Sequence, residues 1–369
     1  MVSFQPSEDQ QLILDTVAAF AREQIRPQAH DADETGAVPS DIIQQGWELG
    51  LVQSAIPEAY GGAGDTRSVL TGALIAEELA WGDLSMALHL LAPRLVLYPV
   101  LEMGTDEQKQ RILKAYTGAQ FRAASAAVME PRFDFDLSAL TATARRDNGA
   151  YVVNGAKCYV PLGDDAEHLL VYARTGERDG YESVSGFLVE KGAAGVQVTE
   201  REKNMGIKAL ATHEITFENC RVPAANRLGG DASCDFAKLM NYSRVGLAAM
   251  AVGVARAAFE YARDYAKDRK AFGVAIGQKQ AIAFMLAEMA LEIDATRLLT
   301  WEAAWKLDRG EDATREAYLA KHYAADMALK VCDNAVQVLG GHGYIRDHPV
   351  ELWLRNSRGF ASFEGLAIV

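Results

Sequence analysis

The chain has 369 residues, 49% of them apolar and 24% charged, and a formal net charge of −13. That length suggests about two or three domains and can bury a large core, while the acidic balance and the lack of a basic stripe exclude an ordinary nucleic-acid binder. Four cysteines, Cys158, Cys220, Cys234 and Cys332, form no C-x-x-C pair, which excludes a disulfide scaffold or cysteine zinc site and fits a reducing compartment.

The amino end, Met-Val-Ser-Phe-Gln-Pro-Ser-Glu-Asp-Gln, has neither the basic nor the apolar segment of a secretory leader. No stretch reads as apolar over the roughly 20 residues of a spanning helix. The expectation is a soluble, cytoplasmic protein with no membrane partner, no nucleic acid and no metal site. Residues 1–118 read as helical. Ser7 offers an N-cap with Gln10 three positions on, followed by Leu12, Leu14, Val17, Phe20 and Ile25 at helical spacing. Pro27 is expected to end that helix. A Pro/Gly loop at 56–64 precedes a helix from Val69 to Leu79, and Thr105 heads a short amphipathic helix. Residues 119–226 change period. β-prone runs at 140–144, 151–155, 169–173, 186–190 and 213–217 predict a compact antiparallel barrel or sandwich, with Asn148-Gly149 and Asn154-Gly155 as turns. Residues 227–369 return to long Ala-rich helices, over 244–269, 278–309 and 316–339, which predicts a bundle and surfaces suited to subunit association. The fold class is therefore α+β.

Several motifs occur in order along nearly the whole chain. They are Trp47-Glu48-Leu49-Gly50-Leu51 with Ile56-Pro57-Glu58 and Tyr60-Gly61-Gly62; Met129-Glu130-Pro131; Asn154-Gly155-Ala156-Lys157; and Glu202-Lys203-Asn204-Met205-Gly206-Ile207 before Arg221-Val222-Pro223. Arg269-Lys270-Ala271-Phe272-Gly273 with Gln280, Gln337-Val338-Leu339-Gly340-Gly341, Arg355 and Phe363-Glu364-Gly365 follow. In this order the chain resembles the acyl-CoA dehydrogenase family. The resemblance implies a helical N-terminal domain, a middle β-barrel domain and a C-terminal four-helix bundle. It also implies FAD in the cleft, a homotetramer or homodimer, a place in lipid metabolism, and electrons passed to an electron-transfer flavoprotein. The implied reaction is α,β-desaturation of an acyl-CoA or acyl-carrier-protein thioester.

Glu364, by this resemblance, is the base for the α-proton; flavin N5 takes the hydride. A solitary Glu near a terminus is ordinarily solvated, and the flanking aromatic and glycine are what single it out. The position before Arg244, used for the base in some members, is Ser243 here, and serine cannot do this work unaided. Val128, Met129, Tyr159 and Pro161 fall at the flavin ring. Arg269, Phe272 and Gln280 reach FAD from a neighbouring subunit, and Gln337, Gly340 and Gly341 cradle its pyrophosphate. Phe135, Asp136, Arg244, Phe363 and Gly365 line the substrate. Bland alternatives stand beside three of these: core packing for Phe272, a helix C-cap for Gly340-Gly341, and, for Arg244, a first-turn helix residue paired with solvent or a neighbouring acid.

The sequence departs from the family pattern at Met129 for Thr, Tyr159 for Trp, Pro161 for Thr, Asn356 for Asp, and the bulky Arg132-Phe133-Asp134-Phe135-Asp136 loop. These departures keep two further readings open. One is a non-catalytic or half-site subunit of a hetero-oligomer with a related chain. The other is a flavin monooxygenase or oxidase on the same fold.

Overall fold

Ser7 caps the first helix where the sequence predicts. In the computed structural model, which describes residues 5–64 and 67–369, the Ser7 side chain accepts from the Gln10 amide and the Gln10 side chain accepts from the Ser7 amide, so two orphan donors are satisfied together. The first four residues of the amino-end reading lie outside the described residues. Helix α1 (Glu8–Phe20) passes through a π turn at Ala21–Ile25 into α2 (Arg26–Thr35). Pro27, expected to stop the helix, therefore lies within it. The π turn has already shifted the hydrogen-bond ladder, with the Arg26 N–H reaching the Ala21 carbonyl, and Pro27 falls in the first turn after that shift, where a missing N–H is tolerated. The helix ends instead at Gly36, left-handed at φ 70°. α3 (Ser40–Glu48), α4 (Val69–Gly82), α5 (Leu84–Leu91), α6 (Arg94–Met103) and α7 (Asp106–Ala115) follow; Thr105 caps α7 as predicted, and Gln108 completes a capping box with it.

The middle region is one sheet of β1 (Ala124–Ala127), β2 (Thr143–Asp147), β3 (Ala150–Pro161), β4 (His168–Arg174), β5 (Val184–Glu190), β6 (Val196–Arg201) and β7 (Thr212–Pro223). Its order is β1-β4-β2-β3-β7-β6, with β5 on β4. Two pairings, β1 with β4 and β2 with β4, are parallel, against the expected all-antiparallel arrangement. β1 is Ala-Ser-Ala-Ala, wholly buried, so it carries no alternation by which a strand is recognised. Asn148-Gly149, both at positive φ, turns the β2–β3 hairpin. Asn154-Gly155 does not turn: it sits inside β3 at a register shift against β7, where Gly155 (φ 143°) bulges the strand.

The carboxyl region is α8 (Phe236–Asp268), a hairpin of β8 (Lys270–Ala271) and β9 (Val274–Ala275), α9 (Gln280–Asp308), α10 (Thr314–Leu339) and α11 (Val350–Ser357). Here the long predicted helices end within about eight residues of their expected bounds. α8 packs between α4, α9 and α10. A Cβ at Gly253 would lie 2.2 Å from the Glu77 carbonyl oxygen, so glycine sets how closely α4 approaches. α8 is also long and apolar enough to cross a membrane, which the sequence reading did not register; 78% of its apolar window is buried inside the molecule.

Candidate active site

Phe363-Glu364-Gly365 follows α11 and a 3-10 turn at Arg358–Ala361. Gly365 has φ 72°, and a Cβ there would lie 2.5 Å from Val128 Cγ2. Only glycine lets this segment pass the chain leaving β1. Phe363, 5% exposed, stands edge-on to Tyr159 with centroids 6.3 Å apart. Glu364 Oε1 lies 2.7 Å from Lys321 Nζ, on side chains 18% and 12% exposed. Its other oxygen, Oε2, is buried without a hydrogen-bond partner. The Glu364 N–H faces Met129 Sδ at 3.5 Å. Lys321, on α10, was missed in the sequence, where a lone helical lysine reads as solvated.

Behind Met129 lies a second missed feature. Lys157 Nζ donates to Val128 O (2.9 Å) and pairs with Glu130 Oε1 (3.1 Å), both side chains essentially inaccessible. Glu130 also accepts from Thr141 N (2.8 Å), Thr141 Oγ1 (2.6 Å) and Ala142 N (2.9 Å). Burial pushes the Glu130 carboxyl up, but Lys157 and these donors outweigh it and hold it below its ordinary value. Burial pulls the Lys157 ammonium down to about 8. The pair ties the Met129 segment to β3, so the two stretches singled out in the sequence form one wall. Tyr159 follows in the same strand at φ 51°, its N–H bonded to Glu202 Oε1 at 3.2 Å. Pro161 closes the β3–β7 ladder opposite Thr212, at the end where a missing N–H is tolerated. Tyr159, Phe363, Asn204, Gly206 and Asn356 line a cavity of about 290 Å³. The Asn356 Oδ1 accepts from the Ile207 N–H (2.7 Å) and its Nδ2 is buried and unpartnered.

A separate cavity of about 360 Å³ gathers Arg269, Tyr265, Gly340, Gly341 and His342. Gly340 ends α10 at φ 59°, so the capping role holds, and nothing lies within 4 Å of a Cβ at either glycine. A bare backbone thus faces open space beside a guanidinium. That arrangement suits a phosphate-bearing group. Gln337 is exposed in the last turn of α10. Gln280 is exposed at the start of α9, and Phe272, 95% exposed at the β8–β9 tip, is not core. These two are not brought to Glu364 within the chain.

Arg244 is buried on α8, bonded to Asn241 Oδ1 (3.2 Å) and Tyr181 OH (3.1 Å), with the Tyr318 ring 5.6 Å away. Among the described residues no carboxylate pairs with it, and it lies buried beyond the first turn of α8, so the alternative of a first-turn residue paired with solvent or an acid is not what the chain adopts. Tyr318 and Lys321 stand three apart on α10, hence on one face. Phe135 packs half-buried against the main core, Phe133 is fully exposed, and Asp136 is exposed with Oδ1 accepting from Ser138 N and Oγ, both at 2.7 Å.

Three family models match in the order of the three regions. They are the N-terminal domain of acyl-CoA dehydrogenase over residues 7–119, the middle domain over 125–220 and the C-terminal domain over 236–367. A cyclohex-1-ene-1-carbonyl-CoA dehydrogenase of Geobacter metallireducens is 38% identical, over 95% of this chain and 93% of that one. A solved structure described as an electron transferring flavoprotein of Acidaminococcus fermentans contains a chain 34% identical, with a TM-score of 0.89 over 98% of this chain and 95% of that one. PigA, solved with FAD and proline, is 26% identical with a TM-score of 0.90 over the same shares. With all three regions matched in order, and a glutamate between an aromatic and a glycine at the meeting of sheet and bundle, the chain belongs to the acyl-CoA dehydrogenase family of oxidoreductases.

Proposed function

We propose that this protein is an FAD-dependent dehydrogenase of an acyl thioester, in which Glu364 takes the α-proton. The observation that carries the reading is the state of that carboxylate: held by a lysine on one oxygen, buried and unpartnered on the other. An α-proton is weakly acidic, so its removal needs a base that is held in place and partly out of water. When bound, FAD supplies a hydride acceptor for the β-hydrogen. Val128, Met129, Tyr159 and Pro161 would lie at its ring, and Arg269, Gln337, Gly340 and Gly341 at its phosphates. Arg244, Phe135 and Asp136 belong to the substrate entrance, and an electron-transfer flavoprotein takes the electrons. A homotetramer is part of the proposal. It is supported by Phe284, Leu291, Leu298 and Trp305, which recur every seventh residue along α9 and are 60%, 71%, 46% and 43% exposed. Such a stripe calls for cover.

The test is anaerobic mixing of the FAD-loaded protein with acyl-CoA esters. Bleaching of the yellow colour supports the reading, and Glu364→Gln should slow bleaching by about 10² to 10⁴ while FAD stays bound. A yellow protein bleached by no thioester favours oxidase or monooxygenase chemistry. A protein that takes up no FAD favours a non-catalytic subunit.

A further inference from the structure

We propose that Lys321 is a positioning residue for proton abstraction: it anchors one oxygen of Glu364 so that the other, Oε2, receives the α-proton. The inference rests on the reading of Glu364 as the base. Its ground is geometric. Lys321 Nζ meets Oε1 at 2.7 Å on side chains that are mostly covered, and Oε2 is buried with no partner. A glutamate beside a left-handed glycine, Gly365 at φ 72°, has several staggered side-chain states open to it. A charge-assisted hydrogen bond largely out of water selects one of them. Lys321 can do so because it projects from the third turn of a 26-residue helix, α10, rather than from a loop. No other cation pairs with Glu364 among the described residues. Arg244 is already engaged by Asn241 and Tyr181 and does not replace it.

In the step, the Cα–H bond breaks and its proton bonds to Oε2. The electron pair of that bond stays on the substrate and forms the new double bond. The β-hydrogen leaves with its own bonding pair to oxidised FAD, so the thioester loses two electrons and FAD gains them. Glu364 becomes neutral, and Lys321 keeps its proton and its contact with Oε1. The lysine thus takes no part in the proton balance; it decides which oxygen faces the substrate.

The experiment uses the FAD-loaded protein and the probes butyryl-CoA, cyclohexanecarbonyl-CoA and octanoyl-CoA, mixed anaerobically. In Lys321→Met the bleaching rate at saturating thioester should fall about 10- to 100-fold, the scale of a misplaced catalytic group. The half-saturating concentration should stay within about threefold, and Lys321→Arg should restore most of the rate. Bleaching lost in Glu364→Gln but unchanged in Lys321→Met overturns the tether alone. Bleaching that survives Glu364→Gln, or a wild type that none of the probes bleaches, overturns the base assignment and the tether with it. A readout independent of turnover is a double-mutant cycle on urea midpoints. The combined Lys321→Met, Glu364→Gln shift should be smaller than the sum of the single shifts, and strictly additive shifts overturn the pairing.

Discussion

A buried charge is expensive unless it is answered, and two residues of this molecule show opposite solutions. Glu130 is answered completely, by Lys157, Thr141 and Ala142. Glu364 is answered on one oxygen only. The first arrangement suits structure, because nothing is left to react. The second leaves a buried oxygen with no hydrogen-bond partner. Replacing Lys157 with methionine should therefore destabilise the fold by about 3–5 kcal/mol, since Glu130 would stay buried without its cation. Adding Glu130→Gln should recover part of that loss, and urea unfolding of the two variants checks both statements. The motifs around these residues were legible in sequence, but their partnership was not. Met129-Glu130 and Lys157 are far apart in the chain, and only β3 folding beside the end of β1 closes the distance.

At the scale of elements, the three regions share one apolar core, and short ion-pair clusters join them as well. Asp33 on α2, 4% exposed, meets Arg355 on α11 at 2.8 Å, Arg346 at 2.6 Å and Lys208 of the middle region at 3.4 Å. Burial pushes its carboxyl up, but the Arg355 hydrogen bond and charge, with Lys208, outweigh that and hold it below the ordinary value of 3.8. A depressed carboxylate contributes stability that is complete above its unfolded-state pKa and is lost as pH falls through the folded one. Asp33→Asn should accordingly lower stability at pH 7 by about 1–3 kcal/mol. The gap to wild type should then close as the pH drops below about 4. Urea midpoints measured from pH 7 to pH 3 test the sign, and a gap that widened on acidification would contradict it. Arg355 had been singled out in the sequence as a family marker. Its work here is to join α2 to α11, and so to set the stretch that leads to Phe363 and Glu364.

The whole molecule presents a contrast between a closed α8 and an open α9. α8 is surrounded, whereas α9 turns a heptad of large apolar side chains outward. Leu291→Lys with Leu298→Lys should break the proposed tetramer into smaller species while leaving the protomer folded. Light scattering with circular dichroism reads both, and an unchanged mass would show that another face makes the contact. Helix periodicity, the β-prone runs, the Ser7–Gln10 cap and the ordered motifs determined the α+β class, the long carboxyl helices and the family, because each is a local pattern whose meaning survives without neighbours. Local signals failed where neighbours rule. Pro27 stays helical because a π turn precedes it, Asn154-Gly155 bulges because β7 runs alongside, and β1 is a strand because β4 pairs with it. The site divides in the same way. Aromatic-Glu-Gly could be read in the chain, but the lysine that holds the glutamate, the oxygen left free and the wall behind Met129 exist only once sheet and bundle meet, since burial and ion pairing are properties of distance in space and not of order along a backbone.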